Sequence, residues 1–269
     1  MGSTVLGLVA LLCYGGAEAA AIAHLRWDRP RLGKATTLLL AVAFALHFVA
    51  LQMRARALHS VPYRDLPDSM SLFAWMLAAT YGLLLAIHRE RSTGPFLIPL
   101  VILFLAFSLI APAPLRAPRR DLTGSLFAFH VTLAILAYAA LTLGFVLAIL
   151  YLFQSRQLQR KASGFLFPRL PALDVIDRLE RTAIAVGVTA LAVATVLGGV
   201  WAHRTWNRSW DPKVLWTLLT MVFYGLALVA ARLGWRGRRT ALLTVIGFCV
   251  LLFSYTIVNL FFSQEHMFR

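Results

Sequence analysis

Acidic residues are scarce in this chain of 269 residues: 11 Asp and Glu stand against 26 Lys and Arg, and charged side chains of both signs together make up 14%. Soluble domains carry about 25% charged and about 45–50% apolar residues, so an apolar content of 60% excludes an ordinary soluble domain. Cysteine is nearly absent. Cys13 and Cys249 both sit inside apolar runs, and they supply neither a disulfide framework nor a thiolate metal site. Low-complexity segments and convincing internal repeats are missing as well. What the chain has instead is long hydrophobic runs. One bilayer crossing takes about 20 residues, so there is material for about eight, with little left over for a separate soluble domain. A net charge of +15 would point to nucleic acid in a soluble protein. Here the basic residues lie between apolar runs, which is the pattern of membrane topology and excludes a nucleic-acid footprint.

The expected fold class is all-α: a polytopic membrane protein of eight transmembrane helices over 3–24, 34–53, 68–88, 95–113, 124–153, 179–202, 214–232 and 239–262. Each run is apolar around most of its circumference, as lipid and bundle contacts require. Pro30, Pro62, Pro114 and Pro168 fall between runs, where a missing N–H is harmless, and Pro95 stands at a first helical turn. Ala17-Glu18-Ala19 mimics a leader-peptide cleavage site, but nothing basic precedes the first run and the run is long, so it reads as a span. Residues 1–269 read as one integral membrane domain. An even number of helices puts both termini on one side. Loops 25–33, 89–94, 154–178 and 233–238, with their flanks, hold sixteen of the 26 Lys and Arg. The richer face is expected to be cytoplasmic, which leaves both termini outside.

The outer face still carries Arg54, Arg56, Arg64, Arg116, Arg119, Arg120, Arg204, Arg208 and Lys213. Two readings fit them: contact with lipid head groups, or a site for an anionic ligand, which guanidinium groups hold through paired hydrogen bonds.

Depth separates the seven histidines. His24 and His88 end helices on the cytoplasmic side, where a cation suits the helix C-terminus. His59 and His203 fall in outer loops. His130 near the start of the fifth helix and His266 just after the eighth share one outer level, from which both can reach one ligand. His47 lies inside the second helix, about two turns below its outer end. Taken singly, each is more often a polar group satisfied within a bundle, yet an ionisable group in a span is a functional hypothesis by default. Glu18 is the only acidic residue read as lying deep in a span.

The most unusual stretch joins the sixth and seventh helices: Trp201-Ala202-His203-Arg204-Thr205-Trp206-Asn207-Arg208-Ser209-Trp210-Asp211-Pro212-Lys213, with Trp216 beyond it. Counting Trp216, four of the seven tryptophans fall within 16 residues. An interfacial aromatic belt spreads its tryptophans over many helix ends; gathering them in one loop makes a platform for a large planar apolar ligand. Asp211-Pro212 reads as a helix start, with the carboxylate as N-cap and proline at the first position.

These residues carry a resemblance. Trp210-Asp211-Pro212-Lys213 with Trp216, the upstream Gly198-Gly199-Val200-Trp201-Ala202, the downstream Trp235-Arg236-Gly237-Arg238-Arg239, the fifth helix from His130 through Ala139-Ala140-Leu141, and Val258-Asn259-Leu260 followed by His266 are similar to the tryptophan-rich haem-handling family. That family includes the CcsA/ResC, CcmC and CcmF proteins of cytochrome c maturation and the related HemX and YpjD proteins. The likeness spans nearly the whole chain.

The resemblance implies haem b held outside a bacterial cytoplasmic membrane, facing the periplasm, with His130 and His266 as axial ligands of the iron. Trp201, Trp206 and Trp210 would line one edge of the macrocycle, with Asp211 closing the segment. Arg204, Arg208, Arg116, Arg119 and Arg120 are the candidates for the propionates. The implied partners are haem, an apocytochrome c and a ResB/CcsB-like membrane protein, besides the bilayer; nucleic acid is not among them. The chain supplies no thiol for the attachment reaction, so it would be at most a component of a haem lyase. The tryptophan segment is about two residues shorter than the family pattern, and Arg208 replaces an aromatic. Val229 stands where many CcsA proteins have a histidine of a second, intramembrane haem site; His47 is the one candidate for an inner site of another kind. Competing readings are a HemX/YpjD-like protein that senses haem or supports its synthesis, and a small-molecule transporter. The transporter reading expects broken helices and paired midplane charges.

Overall fold

A computed structural model describes residues 2–63, 65–111, 124–160, 169–206, 212–235 and 237–253. Among them are eight helices and no strand: α1 (Gly2–Trp27), α2 (Pro30–Leu58), α3 (Leu66–His88), α4 (Gly94–Ile110), α5 (Ser125–Gln159), α6 (Leu173–Trp206), α7 (Pro212–Arg232) and α8 (Arg238–Phe253). Five of them, α1, α2, α3, α5 and α6, are long and apolar enough to cross a membrane; α4 and the Val214–Ala230 stretch of α7 are shorter apolar helices. Their outward faces stay apolar, Leu12, Leu38, Leu103 and Ile110 among them. This is the architecture of an all-helical polytopic membrane protein, with backbone polarity satisfied inside each helix.

Each of the eight expected runs coincides with a helix over its described residues, while 112–113 of the fourth and 254–262 of the eighth lie outside them. The largest departures are at α5, which runs on to Gln159, and at α6, which begins at Leu173. The added turns of α5 are polar, while those of α6 are amphipathic: Asp174, Asp177 and Arg178 alternate with Leu173, Val175 and Ile176 and interrupt the continuous apolar run that marks a span. The longer α6 also changes the inventory of buried acids. Glu180, read from sequence as lying near a helix start, sits two turns inside α6 and is 1% exposed, so Glu18 is not alone.

The helices form two compact units, α1–α4 in one and α5–α8 in the other. In the first, α1 buries Gly7, Ala10, Tyr14, Ala17 and Ala21, a stripe of small residues around one tyrosine. Small residues let helix backbones approach. A Cβ on Gly7 would fall 3.0 Å from Leu109 of α4, and one on Gly94 would meet the Tyr81 hydroxyl and Ala21. On α2, Phe44 stacks on Trp75 of α3 at 4.7 Å, and the Trp75 indole donates to the Phe44 carbonyl at 3.2 Å. The α2–α3 turn is fixed twice. His59 caps α2 in the left-handed region at φ 50°, and Asp65 caps α3 by accepting the Asp68 amide at 2.8 Å. Arg54 then reaches across from α2, donating to both carboxylate oxygens of Asp68 at 2.8 and 3.2 Å.

In the second unit, α5 and α6 run antiparallel as a matched pair. Phe127 meets Trp201, His130 meets Gly198, Leu141 meets Gly187 and Gly144 meets Ile184. Every step forward on α5 is answered by an equal step back on α6, and a glycine stands at three of these four crossings. The core adds Tyr224 of α7 and Phe248 and Leu251 of α8. Glu180 is held there by the Thr244 hydroxyl, which donates to Oε1 at 2.6 Å.

Candidate functional site

The site is built where α5 begins and α6 ends. Gly124, at φ 100°, turns the chain into α5, and its carbonyl accepts the Ala128 amide at 3.1 Å. Phe127 and His130 follow one turn apart, so they project from one face. On α6 the same spacing separates Ala194, Gly198 and Trp201. The two faces interlock. The His130 Nδ1–H donates to the Ala194 carbonyl at 2.7 Å. Phe127 packs on the Trp201 ring at 4.6 Å between centroids and lies 6.3 Å from His130.

The hydrogen bond fixes the tautomer. With its proton on Nδ1 held by a helix carbonyl, the neutral ring carries its lone pair on Nε2, the arrangement found in histidines that bind metal. The carbonyl also sets ring orientation, and Gly198 sets ring position. A Cβ there would fall 2.5 Å from Cε1 and 2.6 Å from Nδ1. Glycine in the middle of a helix weakens it, so Gly198 trades helix propensity for room.

Of the other expected site residues, Trp201 is 7% exposed and packs with Phe127 inside the unit. Arg204 follows it by one turn and is exposed, beside exposed His203. Trp206 closes α6 and Pro212 opens α7, the start that Asp211-Pro212 predicts. His266, Trp210, Asp211, Arg208, Arg116, Arg119 and Arg120 lie outside the described residues, as does the Trp206 side chain. Trp216, beyond the loop, rests on Phe253 at 4.8 Å and lines an apolar hollow of about 370 Å³ with Cys249 and Val250. His47 belongs to the other unit. It is fully buried, with Nε2 3.1 Å from the Ser71 hydroxyl and the Tyr14 ring edge-on at 6.0 Å. Val229 is half exposed on α7.

Sequence reading missed Gly198, Phe127 and the Ala194 carbonyl as parts of the site. Gly198-Gly199 one turn above Trp201 was the available signal, since paired glycines inside an apolar helix mark close approach. The carbonyl had no signal, because any residue at 194 provides one.

The chain matches known proteins over most of its length. The family model described as Cytochrome C assembly protein matches residues 63–266. The chain is similar to the cytochrome c biogenesis protein CcsA of Prochlorococcus marinus subsp. pastoris, 32% identical over 79% of this chain and 76% of that protein. The protein of the same name from Guillardia theta is 30% identical over 70% of this chain and 72% of its own length. That from Mesostigma viride is 27% identical over 84% of each.

Proposed function

The chain belongs to the cytochrome c assembly family, as a CcsA-type member serving c-type cytochrome maturation, and from that premise we propose that it binds haem at the outer face of the membrane and presents it to apocytochromes. The observation that carries this reading is His130: its Nδ1–H donates to the Ala194 carbonyl at 2.7 Å, the tautomer in which the imidazole lone pair is on Nε2. The donor set suits haem iron, which takes neutral histidine nitrogens. His266, the last residue of the family match, is the second ligand in this reading.

Haem supplies vinyl groups that form thioether bonds with the cysteine thiols of a Cys-x-x-Cys-His segment. This chain's residues bind and orient. His130 is held by hydrogen bond and by contact with Gly198, so it loses little freedom on ligation. Trp206 and Trp210 give apolar surface to a planar ligand, with Arg204 and Arg208 as cations for its carboxylates, while buried Trp201 packs on Phe127 instead. Arg116, Arg119 and Arg120, just before α5, are further cations for the same groups. No thiol is contributed, so the chain's part is positioning, and a ResB/CcsB-like membrane partner completes a haem lyase. Haem b, a bacterial cytoplasmic membrane, and both termini with the tryptophan loop facing the periplasm belong to the same proposal.

The test is haem binding by purified protein together with maturation of a c-type cytochrome in a strain lacking the gene. His130→Ala and His266→Ala should each lower haem affinity at least tenfold, about 1.4 kcal/mol, and abolish maturation. Affinity unchanged in both variants sinks the two-histidine site. A second reading, haem sensing without attachment, is favoured by Val229, which leaves α7 without the histidine of an intramembrane haem site. It predicts haem binding with normal cytochrome maturation when the gene is deleted.

A further inference from the structure

Unit one contains polar chemistry that haem binding at His130 does not use. Tyr14 and His47 are fully buried, and Tyr81 is 1% exposed. The Tyr14 hydroxyl, the Nδ1 of His47 and the Oε2 of Glu18 are all shielded from solvent, and none has a hydrogen-bond partner among the described residues. Buried polar atoms in proteins are satisfied by protein or by ordered water, and internal waters sit where several such atoms converge.

These atoms are arranged in sequence along the helix bundle. At one end Asp68, gripped by Arg54 and adjoining Asp65, lies one turn from Ser71 on α3. The Ser71 hydroxyl lies 3.1 Å from His47 Nε2, and the other face of the bundle brings Tyr14 edge-on to the same imidazole. Glu18 is one turn further along α1. One turn beyond Glu18, Ala21 meets Gly94 together with the Tyr81 hydroxyl. Beside Gly94 is the 89–93 loop, where the Glu90 carboxylate accepts the Ser92 amide and Arg91 donates to Thr37. Asp68 and Tyr81 are thirteen residues apart on α3, about 20 Å of helix rise. A run of titratable or hydroxylic side chains therefore links the charged cluster at one end of α3 to the charged loop at the other.

We propose that Asp68, Ser71, His47, Tyr14, Glu18 and Tyr81, bridged by internal water, form a proton-transfer path through the α1–α3 bundle. Each group on it both accepts and releases a proton. The imidazole takes one on Nδ1 and gives one up from Nε2, or the reverse; a hydroxyl does both at one oxygen; the carboxyl accepts on one oxygen and releases from the other. Each hop leaves its group in the other tautomer or orientation, and a reorientation resets it before the next proton, so no side chain is consumed and no co-reactant is needed. The apolar wall explains why the path must be narrow. Leu39 packs on Gly16 and Leu109 on Gly7, so the flanks of the path are apolar. The path shares no residue with the proposed haem site, and either can fail without the other.

The experiment uses the full-length chain in phospholipid vesicles loaded with a pH-sensitive dye, with a potassium gradient and valinomycin to drive proton entry. Vesicles with protein should acidify faster than empty ones. Glu18→Gln and Tyr14→Phe should each slow the entry at least tenfold, and Glu18→Asp should keep part of it. Tyr14→Phe removes one oxygen from a fully buried ring, so it preserves packing and carries the test if Glu18→Gln does not fold. Acidification no faster than in empty vesicles, or less than a twofold change in the folded variants, overturns the path.

Discussion

Gly198 and the imidazole of His130 share a space with no room for a methyl group: a Cβ at 198 would lie 2.5 Å from Cε1 of the ring. Its neighbour Gly199 has nothing within 4 Å of the same atom. The two glycines should therefore answer oppositely to one substitution. Gly198→Ala should destabilise the protein by about 1–3 kcal/mol through overpacking and weaken haem binding by displacing the ligand. Gly199→Ala should be neutral or stabilising by up to about 1 kcal/mol, since alanine is the better helix former. Thermal unfolding and haem titration of both variants measure this. Equal losses at the two positions would mean that the contact at 198 does not set the ring.

The positions of the helices were legible because each needs a long apolar run, and nothing else in this composition supplies one. The start of α7 was legible for a local reason, proline at the first turn. The buried polar partners were not. Thr244 finds Glu180, and Arg54 finds Asp68, only through helix packing, and no spacing in sequence encodes either pair. His130 was singled out by depth and by resemblance. What holds it, a main-chain carbonyl and an absent side chain at 198, leaves almost no trace in residue type.

Arg54 is tied to Asp68 within the α2–α3 pair, so it is not spare charge for an outer ligand. Arg54→Ala leaves a carboxylate that is about one-tenth exposed without its bidentate partner. Stability should fall by about 1.5–3 kcal/mol, the range for a charged hydrogen bond. Haem affinity of the folded protein should stay within twofold of wild type. A tenfold loss of affinity without loss of stability would place Arg54 in the ligand site instead.

Thr244 is the described donor to Glu180, whose second oxygen, Oε2, is buried with no partner among the described residues. Thr244→Val keeps the shape and removes the donor, leaving the acid further unsatisfied. A loss of about 1–3 kcal/mol is expected. Pairing it with Glu180→Leu should recover much of that loss, because removing both polar partners is far less costly than removing one. Denaturation of the single and double variants decides the matter, and additive losses would contradict the pairing.

Orientation has a direct chemical test. With both native cysteines replaced, Asn207→Cys in the tryptophan loop should react with a membrane-impermeant maleimide in intact cells. Leu233→Cys, exposed in the turn between α7 and α8, should react only after lysis. The reverse result would place the tryptophan loop in the cytoplasm and exclude presentation of haem outside.

The equal pacing of α5 and α6 limits how this segment can change in length. Deleting one residue between His130 and Leu141 would turn the imidazole by about 100° around the helix axis and shift it by about 1.5 Å. It would then miss both the Ala194 carbonyl and the gap at Gly198, even though every side chain of the site was still present. Only matched deletions of about two whole turns, roughly seven residues from each helix between the same two crossings, would bring them back into phase. The count of residues between the core and His130 is thus inherited as a property of the pair, and an insertion in either helix alone would move the imidazole out of its place as a point substitution could not.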